Sequence, residues 1–130
     1  MSDVLIAQDE PTILETLDFL LQRAGWSVSS VTDGEAVMGA IRKARPGMLV
    51  LDVMMPNRSG FEVLRMLRAD PDHADLPVLI LTARGQGHDR QLAFDLRADG
   101  FITKPFANDE VINEVRRLLS LRQAARGVVG

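Results

Sequence analysis

Apolar runs of strand length alternate with segments of helical period from one end of the chain to the other, and few folds accommodate that order. "VLIA" (4–7) is a short apolar run without alternation. From Pro11 the period changes: Ile13, Leu14, Leu17, Leu20, Leu21 and Ala24 recur at three- and four-residue steps. Pro11 suits the first turn of that helix and Gly25 its end. "WSVSSV" (26–31) alternates as a half-buried strand does, and "GEAVMGAIRKA" (34–44) is helical up to "RPG". "MLVLD" (48–52) is a buried strand, "GFEVLRMLRA" (60–69) a helix ended by Asp70-Pro71, and "PVLILT" (77–82) another buried strand. "HDRQLAFDLRA" (88–98) is a helix with a thinner apolar stripe, and "GFITKP" (100–105) a short strand ended by proline. "NDEVINEVRRLLSLRQAAR" (108–126) is the last helix, with Val111, Ile112, Val115, Leu118 and Leu119 as its buried face. Five β-α units in strict succession imply a parallel sheet covered by helices on both faces, with right-handed crossovers. The continuous apolar character of strands 1, 3 and 4 fits burial on both sides, whereas the alternating strand 2 suits a sheet edge.

The length of 130 residues fits one domain with a core of its own. The domain is expected to span 1–122, with 123–130 as the end of the last helix and a loosely held "GVVG" tail. No output domain, internal repeat or linker is visible. The chain has no cysteine, which excludes disulfides and thiolate metal sites. No apolar run is long enough to span a bilayer and no signal peptide is visible, so no membrane insertion and a cytoplasmic location are expected. A net charge of −3 without a dense basic block argues against direct contact with nucleic acid. Arg116, Arg117, Arg122 and Arg126 form a local basic patch that reads as a solvated helix face.

In an open α/β sheet, ligands bind beyond the carboxyl ends of the strands, at the switch point in strand order. Strand 1 ends in Gln8, Asp9 and Glu10, strand 3 in Asp52, strand 4 in Thr82, and strand 5 in Lys104 before Pro105. One cleft would then collect carboxylates, a hydroxyl and an ammonium, each from a different strand. Asp52 is the sharpest clue. It interrupts "MLVLDVMMP" (48–56), the most hydrophobic stretch of the chain, where desolvating a charge is costly. Asp9 and Asp52 side by side would repel, and a hard divalent cation relieves that repulsion. Oxygen-only ligands favour Mg²⁺, which keeps several waters and bridges to phosphate. A phosphoryl group arriving there would meet the metal, Lys104 as a point charge and Thr82 as a hydrogen-bond donor. Those are the parts that phosphoryl transfer needs, with Asp52 as the nucleophile that forms an acyl phosphate.

At this point the sequence resembles the receiver domains of two-component response regulators. The stretches that carry the resemblance are "VLIAQDEP", "LVLDVMMPNRSGFEVL", "VLILTARG" and "ADGFITKPF", in this order and spacing, within residues 3 to 120. The resemblance implies a single doubly wound five-stranded parallel sheet of order 2-1-3-4-5, a flavodoxin-like (βα)5 fold. It implies that Asp52 accepts a phosphoryl group from a phosphohistidine on a sensor histidine kinase or histidine phosphotransfer protein. Mg²⁺ would be held by Asp9, Asp52 and the backbone carbonyl of Met54. The backbone N–H groups of Val53 and Ala83 would hold the phosphoryl group with Thr82, and Lys104 would pair with it. Thr82 and Phe101 would act as the switch: Thr82 moves toward the phosphoryl group, Phe101 turns inward, and the surface of helix 4, strand 5 and helix 5 changes its preference for a downstream protein. Such a domain is not an enzyme in the usual sense, since it turns over only its own aspartyl phosphate.

Three positions depart from the family's pattern. Gln8 replaces the usual acid and removes one negative charge from the metal site, so Mg²⁺ binding should be weakened, with the glutamine oxygen orienting a metal-bound water. Arg97 stands where many members carry a small residue. Phe101 lacks the hydroxyl that a tyrosine would bring. Other residues have plainer readings. Asp9 also suits an N-cap of helix 1, Ser59 a cap of helix 3, and Trp26 a lid on the core. His73 and His88 read as loop histidines without metal-ligand spacing, and Glu10 as solvent-facing. The alternatives are a pseudo-receiver that never carries phosphate, supported by Gln8 alone, and a phosphate-ester hydrolase. The hydrolase would want a second acid two residues after its nucleophile, where Met54 stands. Flavin binding on the same topology lacks a Ser/Thr/Gly-rich loop after strand 1.

Overall fold

The computed structural model describes residues 2–83 and 87–129, with side chains described up to residue 121. The side chains of Arg122 and Arg126, and with them half of the basic patch, lie outside the described residues. The strands are β1 (Val4–Ala7), β2 (Val28–Val31), β3 (Met48–Asp52), β4 (Val78–Thr82) and β5 (Gly100–Thr103). The helices are α1 (Pro11–Arg23), α2 (Glu35–Lys43), α3 (Gly60–Ala69), α4 (Gly87–Asp95) and α5 (Asn108–Val129). All strand pairs are parallel, and the order is β2-β1-β3-β4-β5.

Side-chain alternation along the buried strands feeds two separate cores. Leu5, Leu49, Leu51, Val78 and Ile80 point to one face, where α2, α3 and α4 cover them with Val37, Ile41, Val63, Leu64, Leu67 and Ala93. Val4, Ile6, Met48, Val50, Leu79 and Leu81 point to the other, against Leu17 and Leu21 of α1 and Val111, Val115 and Leu118 of α5. Every residue of β1, β3 and β4 is buried, and every residue of the edge strand β2 is at least partly exposed. Trp26 packs against the α1–α5 core, with the Arg116 guanidinium 5.8 Å from its ring.

Helix ends follow local chemistry. Pro11 opens α1, and its N-cap position is Glu10, with no side-chain cap bond; Asp9 therefore does not cap the helix. Ser59 caps α3 by accepting from the Glu62 N–H at 3.2 Å. α4 stops at Asp95 rather than at residue 98. The cause is Arg97, held in the left-handed region at φ 66°, with its N–H donating to the Phe94 carbonyl and that of Ala98 to the Ala93 carbonyl, both at 2.9 Å. This is the double-bonded helix stop usually built on glycine, which explains a small residue at this position; the arginine in its place has no structural explanation. α5 runs to Val129, three residues beyond its expected end at 126. His88 lies in the first turn of α4 rather than in a loop.

Arg68 is a feature that sequence reasoning passed over. Its side chain is buried and donates to the carbonyls of Ala74 (3.0 Å), Leu76 (2.7 Å) and Arg97 (2.9 Å), and to the Asp99 carboxylate at 3.0 Å. Burial lowers its pKa from the ordinary value, and the charge of Asp99 opposes that shift. The guanidinium ties the end of α3 to the turns that lead into β4 and β5. Its sequence signal was its spacing: Arg68 stands four residues after Leu64, on the face that α3 buries.

Candidate functional site

Asp52 is the last residue of β3, the central strand. The register pairs Leu51 with Ala7 on one side and Asp52 with Leu81 on the other. The residues after Ala7 and Leu81 therefore emerge beside Asp52: Gln8 and Asp9 from β1, and Thr82 from β4. An open cleft of about 450 Å³ is lined there by Gln8, Asp9, Asp52, Met54, Ala83 and Lys104.

Asp52 is only 3% exposed, and both of its carboxylate oxygens are engaged. Oδ1 accepts from the Met54 N–H at 3.0 Å, and Oδ2 from Lys104 Nζ at 2.7 Å. The Lys104 ammonium is itself largely buried, so neither charge is left to solvent. Such a pair orients its members strongly even where desolvation cancels much of the attraction. The backbone of Lys104 is fixed in turn by its N–H, which donates to the Thr82 carbonyl at 2.8 Å. The end of β4 thus aims the lysine that follows β5.

The loop after β3 is shaped around the same carboxylate. The Val53 carbonyl accepts from the Gly60 N–H at 2.9 Å, folding the start of α3 back onto the strand end. A Cβ on Gly60 would collide with the Asp52 backbone carbonyl, so this close approach requires glycine. Asn57, in the left-handed region at φ 70°, makes the turn between them.

Gln8 is 1% exposed. Its Oε1 accepts from the Glu10 N–H at 3.0 Å, which fixes the orientation of the amide, since only the oxygen can accept. Nε2 is buried without a hydrogen-bond partner. Asp9 and Glu10 are exposed at the rim. Among the described residues no group of three or more His, Cys, Asp or Glu is placed to hold a metal. With glutamine at position 8, the acidic residues that line the cleft are Asp9, Glu10 and Asp52, of which Asp9 and Asp52 are the expected metal ligands. A donor set of two carboxylates, a backbone carbonyl and waters is all oxygen, and it suits Mg²⁺, which binds through one or two carboxylates and keeps its waters.

The two residues expected to act as a switch lie apart from this lining. Thr82 is fully buried at the end of β4. Phe101 is partly buried against the α2–α3–α4 core and pairs in register with Ile80, two residues before Thr82. Alternation therefore puts Phe101 and Thr82 on the same face of the sheet, the one covered by α2, α3 and α4. On that face the Arg90 guanidinium lies 5.6 Å from the centre of the Phe101 ring and 5.5 Å from that of Phe94. That contact joins two elements and was not visible in the sequence, apart from the four-residue spacing of Arg90 and Phe94.

A family model described as the response regulator receiver domain matches residues 4–116. The chain belongs to this family. It is 40% identical over 119 residues to the DNA-binding dual master transcriptional regulator RpaA of Synechocystis sp., an alignment that covers 92% of this chain and 49% of that protein. The chain spans about half the length of the curated relatives it matches. Among solved structures, the receiver domain of a signal transduction histidine kinase from Syntrophus aciditrophicus superposes with a TM-score of 0.85 at 32% identity, covering 92% of this chain and 91% of that one. The receiver domain of a sensor histidine kinase from Pseudomonas aeruginosa PAO1, described with a magnesium ion coordinated in its active-site cleft, shares the fold at a TM-score of 0.84 and 23% identity, covering 92% and 98%. The parallel 2-1-3-4-5 sheet is thus that of a receiver domain, as the resemblance implied. No helix among the described residues is long and apolar enough to cross a membrane.

Proposed function

We propose that this receiver domain relays a signal by carrying a phosphoryl group on Asp52. The observation that supports this most is the buried carboxylate at the end of the central strand, held at 2.7 Å by Lys104 and open to a cleft. The donor is a phosphohistidine on a sensor histidine kinase or phosphotransfer protein. In the transfer the P–N bond of the donor breaks, its electron pair stays on the imidazole nitrogen, and an Asp52 carboxylate oxygen bonds to phosphorus. Lys104 then follows the charge from the carboxylate to the phosphoryl oxygens, and the backbone N–H groups of Val53 and Ala83 hold them with the Thr82 hydroxyl. Asp9, Asp52 and the Met54 carbonyl would hold Mg²⁺, which neutralises charge on the group in flight. The magnesium described in the Pseudomonas receiver domain supports that assignment. Gln8 contributes no charge, so metal binding is weaker than with an acid at its position.

Phosphorylation adds a dianion that biases the Thr82–Phe101 switch and so the α4–β5–α5 surface, which is read by a downstream protein in the cytoplasm. The domain turns over no substrate beyond its own aspartyl phosphate. Some relatives, such as RpaA, are DNA-binding regulators of about twice the length; the net charge of −3 supports assigning no DNA contact to this domain itself. The pseudo-receiver alternative finds no support in the relatives. Intact mass measurement after incubation with Mg²⁺ and a small acyl phosphate, or with a phosphorylated histidine kinase core, tests the reading. Wild type should gain one phosphoryl group and Asp52→Ala none. No gain from either donor would overturn it.

A further inference from the structure

We propose that Arg90 is a latch on the switch aromatic: it holds the Phe101 ring in the position seen here, and phosphorylation has to break that hold. The inference rests on the reading of Phe101 as the switch. Arg90 is exposed on α4, and among the described residues the rings of Phe94 and Phe101 are its only partners. Both lie at cation–π distance, and a guanidinium is suited to stacking on aromatic faces. Phe94 stands one turn further along α4 and is 41% exposed. Phe101 belongs to β5. The guanidinium is therefore a tie between helix and strand, where α4 buries a single apolar side chain, Ala93, against the sheet.

Phenylalanine at 101 has no hydroxyl, so no hydrogen bond can hold the ring in its partly buried position, and the ring face is the handle left. Thr82 lies on the same face of the sheet, two residues beyond the register partner of Phe101. When Thr82 draws toward the phosphoryl group, the partly buried ring can turn further inward, but only by leaving Arg90. The ring's departure frees Arg90 and Phe94 together on the outer surface of α4, for a partner to meet. Arg90 is thus a positioning residue that acts through Phe101, not a group that touches the phosphoryl group. Exposed cation–π pairs bias an equilibrium by about two- to fivefold.

The test is the affinity of the full chain for beryllofluoride with Mg²⁺, a mimic of the phosphoryl group on a carboxylate, in wild type, Arg90→Met, Phe101→Leu and the double variant. Arg90→Met should bind about two- to fivefold more tightly than wild type, and should change nothing in the Phe101→Leu background. In the unliganded protein, side-chain couplings of Phe101 should report one rotamer in wild type and averaging in Arg90→Met. Equal or weaker binding by Arg90→Met, the same tightening without the phenyl ring, or an unchanged Phe101 rotamer would overturn the latch. A wild type that binds no beryllofluoride would instead count against the Asp52 site, and the rotamer measurement would still judge the latch.

Discussion

Helices α3 and α4 cover the same face of the sheet and are held in opposite ways. α3 buries Val63, Leu64 and Leu67, is capped by Ser59, and ends in the buried Arg68. α4 buries one apolar side chain, Ala93, and ends on an arginine in a left-handed conformation. The first helix fixes the loop that follows Asp52; the second packs against β5, which carries Phe101. Burial of apolar area sets how much each element costs to move, at roughly 25 cal/mol per Å². On the proposed function, the acceptor should be rigid and the reporting surface cheap to shift, and the division of side chains between these two helices fits both needs.

The largest effect should come from cutting the tie between the two helices. Arg68→Ala removes a buried guanidinium that satisfies three carbonyls and Asp99. Loss of one partner from such a network costs about 3 kcal/mol, measurable by urea unfolding. Hydrogen exchange on the variant should show α4 losing protection before α3. A loss below about 1 kcal/mol would mean that the network is replaced by water without penalty.

A smaller effect is expected at the rigid end. Gly60→Ala forces a Cβ against the Asp52 backbone carbonyl. Backbone has to shift there, at a cost of about 1–3 kcal/mol. Because the shift displaces Asp52, the proposed nucleophile, the rate of phosphoryl gain by mass spectrometry should fall by more than the stability loss explains. Unchanged rate and stability would show that the α3 end is softer than its packing implies.

The electrostatics of the same end are open to a gain. Gln8→Glu restores a carboxylate beside Asp9 and Asp52 at nearly constant volume. The charge should tighten Mg²⁺ binding about tenfold by calorimetry, in keeping with Coulomb attraction at a few ångströms in a partly solvated cleft. An unchanged affinity would mean that position 8 does not face the metal.

The sheet was legible because burial on both faces leaves continuous apolar runs, and the helices because their period differs. Asp52, Asp9 and Lys104 could be read because each stands where a strand ends, and topology alone brings strand ends together. Arg68 was passed over despite its spacing from Leu64, since a basic residue in the last turn of a helix looks like a solvated charge favoured by the helix dipole. The end of α4 was misplaced for a related reason: glycine announces a left-handed stop, and arginine does not. The contact between Arg90 and Phe101 joins residues whose sequence spacing carries no period, so only the folded arrangement of α4 over β5 reveals it.

That unannounced stop yields the smallest prediction and the one that bears most directly on the contrast between the helices. A side chain in the left-handed region costs about 1–2 kcal/mol relative to glycine. The backbone carbonyl of Arg97 keeps its bonds from Arg68 whatever the side chain, and what the side chain adds is one long bond to the Arg68 carbonyl at 3.3 Å. Arg97→Gly should therefore stabilise the domain by about 1 kcal/mol in urea unfolding, with the added protection in hydrogen exchange concentrated in α4. A stabler α4 should also make the switch harder to throw, weakening beryllofluoride binding slightly. If the variant is instead destabilised, the arginine side chain holds the turn, and α4 is anchored at its end by more than backbone geometry.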